Sequence, residues 1–290
     1  MPAATRPRRS ILYMPGSNSR ALQKARSLPC DGLILDLEDA VSPTAKDEAR
    51  QQVRAALNAG GYGERELVVR INALDSDWGH EDLEALPQST LDAILLPKVS
   101  TPDQINDLEQ RMNALGYAPD CAIWAMMETP LGILNAQSLA ASTPRLACFV
   151  MGTNDLAKDL RLPPDADEAA FATSFGLSLL AARAYDLAII DGVYGALDDG
   201  DGFRRACGKA AALGFDGKTL VHPRQIDPAN EIFRPSADAI EKARAMVDAW
   251  AEAEAANKGV AVLDGKMIEL LHVQAAKRLL ALDDAITARG

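Results

Sequence analysis

The sequence predicts an α/β fold, a (β/α)₈ TIM barrel followed by a C-terminal helical extension. Three observations carry this expectation. Eight apolar, β-branched runs of strand length start 22, 34, 27, 29, 24, 41 and 30 residues apart, each interval the length of one βα unit. Most of these runs are apolar at every position instead of alternating, as parallel strands covered on both faces require. Helix-patterned stretches separate them. A doubly wound open sheet is the rival architecture, but eight repeats are many for it. No GxGxxG follows the first run, so the dinucleotide-binding version loses its main support.

The strands, in order, are SILYMPG from Ser10, GLILDLED from Gly32, ELVVRIN from Glu66, AILLPKV from Ala93, AIWAMMET from Ala122, LACFVMGTND from Leu146, LAIIDGVY from Leu187 and GKTLVHP from Gly217. Between them SRALQKARSL, AKDEARQQVRAAL and TPDQINDLEQRMNAL read as helices. In the last, Thr101 stands at the N-cap and Pro102 at the first helical position, where its missing N–H is harmless. After Pro223 the character changes. SADAIEKARAMVDAWAEAEAANKG is a long helical stretch that Ser236 can cap and Gly259 can end. A short strand-like run, a DG turn and a second helix follow in VAVLDGKMIELLHVQAAKRLLALDDAI. The expected division is a barrel over residues 1–225 and an appended helical segment over 226–290.

The 290 residues are 48% hydrophobic and 24% charged, enough for a full core. A net charge of -11 argues against nucleic acid or an anionic membrane as the main partner. It leaves open an anionic small substrate held by a local Arg or Lys. Cys30, Cys121, Cys148 and Cys207 are widely spaced with no CxxC, which reads as buried free thiols in a reducing cytoplasm. Three scattered histidines are too few for a zinc site. ILYM, behind the basic ATRPRRS, is far too short for a signal peptide, and no run approaches the ~18 apolar residues of a membrane span.

In such a barrel, chemistry sits at the C-terminal ends of the strands. There the sequence places Asp36, Glu38, Asp39, Arg70, Asn72, Lys98, Glu128, Asn154, Asp155, Asp191 and His222, almost the only polar groups that the strands possess. Glu128 and Asp155 are 27 residues apart, one βα repeat, so they stand on the mouths of neighbouring strands. Two adjacent carboxylates repel unless one is protonated or a cation lies between them. Hard oxygen donors with room for water suit Mg²⁺. The alternative is that each carboxylate caps a helix. Arg70 needs an anionic partner: either a substrate carboxylate that its planar fork would grip, or a salt bridge to Asp36, Glu38 or Asp39. Lys98 can bind an anion or pair with the same cluster. PGSNSR, residues 15–20, is a phosphate cradle or a plain βα turn. His222, before Pro223, is a site residue or a structural one.

At these residues the sequence becomes recognisable. RSILYMPGSNSRALQKA, DGLILDLEDAVSP, VVRIN, LLPKV, WAMMETPLGILNA, VMGTNDLAKDL, GFDGKTLVHPRQI and VLDGKMIE cover nearly the whole chain. Together they resemble the HpcH/HpaI aldolase and citrate lyase family, in the branch that holds the citrate lyase beta subunit, malyl-CoA lyase and citramalyl-CoA lyase. The resemblance implies a homotrimer or hexamer in which the C-terminal extension lies as a lid over a neighbouring subunit's site. It implies Mg²⁺ on Glu128 and Asp155 and a carboxylate-binding role for Arg70. It also implies a CoA and acyl pocket lined by Tyr13, Lys24, Asn154 and His222. Two positions depart from the larger lyases. Asn18 stands where some carry Arg, and Glu269 stands where they carry the Asp that handles a proton at the acyl carbon. The Glu form resembles malyl-CoA thioesterase.

The implied activity is Mg²⁺-dependent C–C cleavage of a 3-hydroxy-diacid CoA thioester to acetyl-CoA and a 2-oxo acid, with Arg70 holding the keto acid and Glu269 protonating the enolate. The alternative is (3S)-malyl-CoA thioester hydrolysis at the same site, with Glu269 activating water or attacking the carbonyl. A third reading is a carrier-dependent or non-catalytic assembly subunit. The complete set of Arg70, Glu128 and Asp155 weighs against it.

Overall fold

A computed structural model describes residues 6–164, 166–256 and 259–289. Every predicted barrel strand forms: β1 (Ser10–Pro15), β2 (Gly32–Asp36), β3 (Glu66–Arg70), β4 (Ala93–Leu96), β5 (Ala122–Met127), β6 (Leu146–Met151), β7 (Ala188–Asp191) and β8 (Gly217–Leu220). They run parallel in chain order and close when β8 pairs with β1. The strands are apolar throughout because both faces are buried, the inner against one another and the outer against the intervening helices.

Side-chain alternation decides which residues face the barrel axis. Ile11, Ile34, Val68, Leu95, Trp124, Met126, Cys148, Val150 and Ile190 pack together there. Continuing the same parity carries Tyr13, Asp36, Arg70 and Glu128 to the mouth. Between β5 and β6 the register slips: Ile123 pairs with Leu146, but Trp124 pairs with Cys148, so Ala147 is an extra residue. At the opposite end of the barrel, Arg8 and Glu66 form a two-pronged pair at 2.7 Å per prong, both buried. The Arg8 guanidinium lies 5.3 Å from the Trp124 ring centroid and closes that end.

Helix ends follow the predicted chemistry. Pro102–Ala114 starts after Thr101, and the Gln104 side chain accepts the Thr101 N–H at 3.0 Å. Arg8–Asn230 form one compact unit, and Glu231 onward belongs to a second. In the second, Ser236 caps the helix Ala237–Ala255 by accepting the Ala239 N–H at 3.2 Å. The helix stops before the expected Gly259. The strand-like run is half of a hairpin, β9 (Ala261–Leu263) with β10 (Lys266–Ile268), turned by Asp264 and Gly265 at φ 51° and 75°. The helix Leu270–Thr287 completes the unit, and Ala253, Ala261, Ile268 and Val273 form its small core. Among the described residues, no helix is long and apolar enough to cross a membrane.

Candidate active site

The strand ends surround a pocket of about 330 Å³ lined by Tyr13, Asp36, Arg70, Glu128, Asn154 and Asp155, with Asp39, Thr153 and several apolar side chains. Seven of the residues singled out from the sequence, Asp39 among them, therefore meet in one place. Glu128 follows directly on β5 and is almost fully buried at 2% exposure. Asp155 lies in the first turn of the helix Thr153–Asp159, which starts immediately after β6, and it does not cap that helix: Gly152 occupies the N-cap. A Cβ at Gly152 would collide with Glu128 Oε2, so only glycine lets the β6 mouth approach this carboxylate.

Arg70 takes the structural one of the two roles left open by its sequence. Its Nε and Nη2 donate to the two Asp36 oxygens at 2.8 and 2.6 Å, and Nη1 reaches Glu38 at 3.0 Å. That is the predicted structural bridge. A guanidinium has five N–H donors, however, and beyond these contacts Nη1 also lies 3.7 Å from Asp39. The second N–H of Nη2 is left over on a side chain that lines the pocket. The Tyr13 ring centroid lies 4.9 Å from the guanidinium carbon and holds the plane. Lys98 pairs with Glu38 at 2.5 Å, the second of its two expected roles.

The two sides of the pocket differ in charge balance. Asp36, Asp39, Glu128 and Asp155 line it, against Arg70 as the one lining cation. Among the described residues Glu128 has no ion pair. Its Oε1 accepts the Lys98 backbone N–H at 2.6 Å. Burial pushes the Glu128 carboxyl up to about 7; the Lys98 N–H opposes this, and the negative charges of Glu38 and Asp155 add to it. Burial also raises Glu38, although Arg70 and Lys98 oppose it. A pocket with this excess of carboxylates suits a divalent cation. No group of three or more His, Cys, Asp or Glu that could hold a metal occurs among the described residues. Two carboxylates, with the other positions open to water and substrate, is a usual way to bind Mg²⁺.

The remaining predicted site residues lie elsewhere. Lys24 is exposed at the end of the helix Ser19–Lys24 and does not line the pocket. His222 Nδ1 accepts the Arg224 N–H at 3.2 Å and caps the turn Pro223–Gln225, which is the structural role that was open for it. Glu269 belongs to the second unit, where it is exposed at the N-cap of Leu270–Thr287. Asn18 caps the first helix, its Oδ1 accepting the Ala21 N–H at 3.0 Å.

Residues 9–223 match the family model described as HpcH/HpaI aldolase/citrate lyase. The chain belongs to this family. Within it, the chain is 48% identical over 284 residues to a (3S)-malyl-CoA thioesterase of Cereibacter sphaeroides (strain ATCC 17025 / ATH 2.4.3), covering 98% of this chain and 97% of the relative. It is 36% identical over 284 residues to the citrate lyase subunit beta of Escherichia coli K12, covering 96% and 93%. Among solved structures, CitE of Mycobacterium tuberculosis in complex with magnesium, acetoacetate and coenzyme A aligns with a TM-score of 0.77 at 28% identity, over 97% of this chain and 99% of that one.

In this HpcH/HpaI family member, sequence reasoning missed the mouth's apolar lining, Met126, Met151, Val193 and Val221. Strand parity could have found Met126 and Val221. It also counted Asp191 among the mouth charges. Asp191 follows the inward Ile190, so it points away from the axis and pairs with buried Lys218.

Proposed function

We propose that this chain is a Mg²⁺-dependent hydrolase of a 3-hydroxy-diacid CoA thioester of the (3S)-malyl-CoA type. The observation that carries the reading is the pocket mouth, where buried Glu128 and Asp155 line the same pocket as an arginine with an N–H donor to spare. The second reading is C–C cleavage of the same thioester to acetyl-CoA and a 2-oxo acid. From the sequence the lyase stood first. The greater similarity to the thioesterase than to the citrate lyase subunit moves hydrolysis ahead and keeps both at one site.

Glu128 and Asp155 would hold Mg²⁺, which would supply Lewis-acid charge to substrate oxygens at the pocket mouth. Arg70 binds the substrate carboxylate through its remaining Nη2 N–H, and Asp36 keeps the guanidinium from turning. Tyr13 and Met126 wall the acyl end. Asn154, Lys24 and His222 are assigned to CoA and acyl contacts. Glu269 is assigned the proton-transfer role. In hydrolysis it takes a proton from water as the oxygen adds to the thioester carbonyl, and the C–S bond breaks to release CoA. In cleavage it protonates the enolate instead. Residues 1–225 are assigned to catalysis and 226–290 to a lid that serves a neighbouring site in a homotrimer or hexamer. Four buried free cysteines support a cytoplasmic location.

The deciding experiment is product analysis of malyl-CoA incubated with purified protein and Mg²⁺, with and without EDTA. Free malate plus CoA, abolished by EDTA, is the expected result. Glyoxylate plus acetyl-CoA replaces it with the lyase reading. No turnover of malyl-CoA or citramalyl-CoA removes both.

A further inference from the structure

Lys98 has a backbone that its side chain does not explain. Among the described residues it is one of four non-glycine residues with positive φ, at 53°, two residues past the β4 end. This conformation disfavours any residue with a Cβ and is retained where the surroundings dictate it. Here the surroundings are the neighbouring β5 mouth. The left-handed turn aims the Lys98 N–H at Glu128 Oε1, 2.6 Å away. The following residues are tied to the same loop. Thr129 Oγ1 donates to the Val99 carbonyl at 3.2 Å, and the Asn135 side chain donates to the Ser100 carbonyl at 2.8 Å. Gly132 sits so close to the Val99 carbonyl that a Cβ would not fit.

The side chain works in the other direction. Lys98 Nζ holds Glu38 Oε1 at 2.5 Å, and Glu38 Oε2 contacts Arg70 Nη1 at 3.0 Å. One residue thus connects the carboxylate side of the pocket with the guanidinium side, although it does not itself line the pocket. We propose that Lys98 is a positioning residue that sets the Glu128 carboxylate through its strained backbone and the Arg70 guanidinium through its ammonium group. The role rests on the functional reading above, and it separates into two halves that different substitutions can address.

The test uses binding, not turnover, with Mn²⁺ as the probe for Glu128 and malate as the probe for Arg70. Mn²⁺ affinity is read by electron paramagnetic resonance, and malate affinity by calorimetry on the Mn²⁺-loaded protein. Lys98→Gly adopts positive φ freely and keeps the N–H, so Mn²⁺ affinity stays within about 2-fold of wild type. It lacks the ammonium, so malate affinity falls about 10-fold or more. Lys98→Arg, which can still reach Glu38, recovers most of the malate affinity. Lys98→Val resists positive φ and loses both halves, so Mn²⁺ affinity falls about 10- to 100-fold as well. Should Lys98→Val not fold, the glycine and arginine variants still decide. Unchanged malate affinity in Lys98→Gly, or a Mn²⁺ loss in Lys98→Gly equal to that in Lys98→Val, overturns the inference. Wild-type protein that binds no Mn²⁺ removes the reading of the site and this inference with it, whereas a discrepancy confined to the variants removes the inference alone.

Discussion

Both ends of the barrel bury charge, and they do so in opposite ways. At the closed end Arg8 donates two bonds to Glu66, one cation against one carboxylate, beside the Trp124 ring. At the mouth Arg70 has the same two-pronged grip on Asp36, yet the pocket beside it holds more carboxylates than cations. A matched buried pair specifies structure and leaves nothing to bind a ligand. An unmatched set is costly to fold and is repaid only by a partner from solution. The difference separates scaffold from site without reference to any relative.

The largest effect tests the unmatched side. Glu128→Ala should lower kcat/KM for the thioester by about 10³-fold or more, with no recovery at ordinary Mg²⁺ concentration. Wild-type-like turnover in steady-state assays would sink the metal assignment. Next comes the direct comparison of the two arginines. Arg8→Met and Arg70→Met each strand a buried carboxylate, and chemical denaturation should register about 3–5 kcal/mol of lost stability in both. Only Arg70→Met should also raise KM, measured on the fraction that remains folded. If both raise it equally, the closed end is not a scaffold alone.

Glu128 also predicts a pH dependence in the metal-free protein. Its folded pKa, about 7, lies above its ordinary value of 4.5. Its contribution to stability is therefore complete below 4.5 and is lost as pH rises through 7, a loss of ~3 kcal/mol. Added Mg²⁺ should raise Tm more at pH 8 than at pH 6, and Glu128→Gln should flatten that difference in thermal melts. The smallest effect concerns a residue that sits outside the contrast. His222→Ala removes a cap acceptor and should cost about 1 kcal/mol, with Asn in its place recovering most of it. A large drop in kcat that Asn does not rescue would give His222 a chemical role beyond capping.

The scaffold was legible because parallel strands covered on both faces leave an apolar signature, and most of the eight runs carried it. The mouth was legible as a set of polar strand ends, since Glu66 and Lys218 are the only other charges in those runs. Its internal wiring was not. Nothing in the sequence says that Arg70 serves Asp36 and retains a donor, because that depends on rotamers. The positive φ of Lys98 carries no glycine to announce it. Asp191 looked equivalent to its neighbours until strand parity turned it outward onto Lys218. Glu269 lies on the second unit, and its place in the chain gives no measure of its distance from the mouth.

The slipped register between β5 and β6 acts as a frameshift written in side chains. With the extra Ala147, Trp124 stands opposite Cys148, and the offset carries through to Met127 opposite Met151, which leaves Gly152 beside Glu128. An even ladder that kept Ala147 in the pairing would instead set Met151 beside Glu128, in the place that glycine must occupy. Anyone grafting these mouth residues onto another eight-stranded barrel must therefore copy an irregularity at the far end of the strand, well away from any atom that meets the substrate.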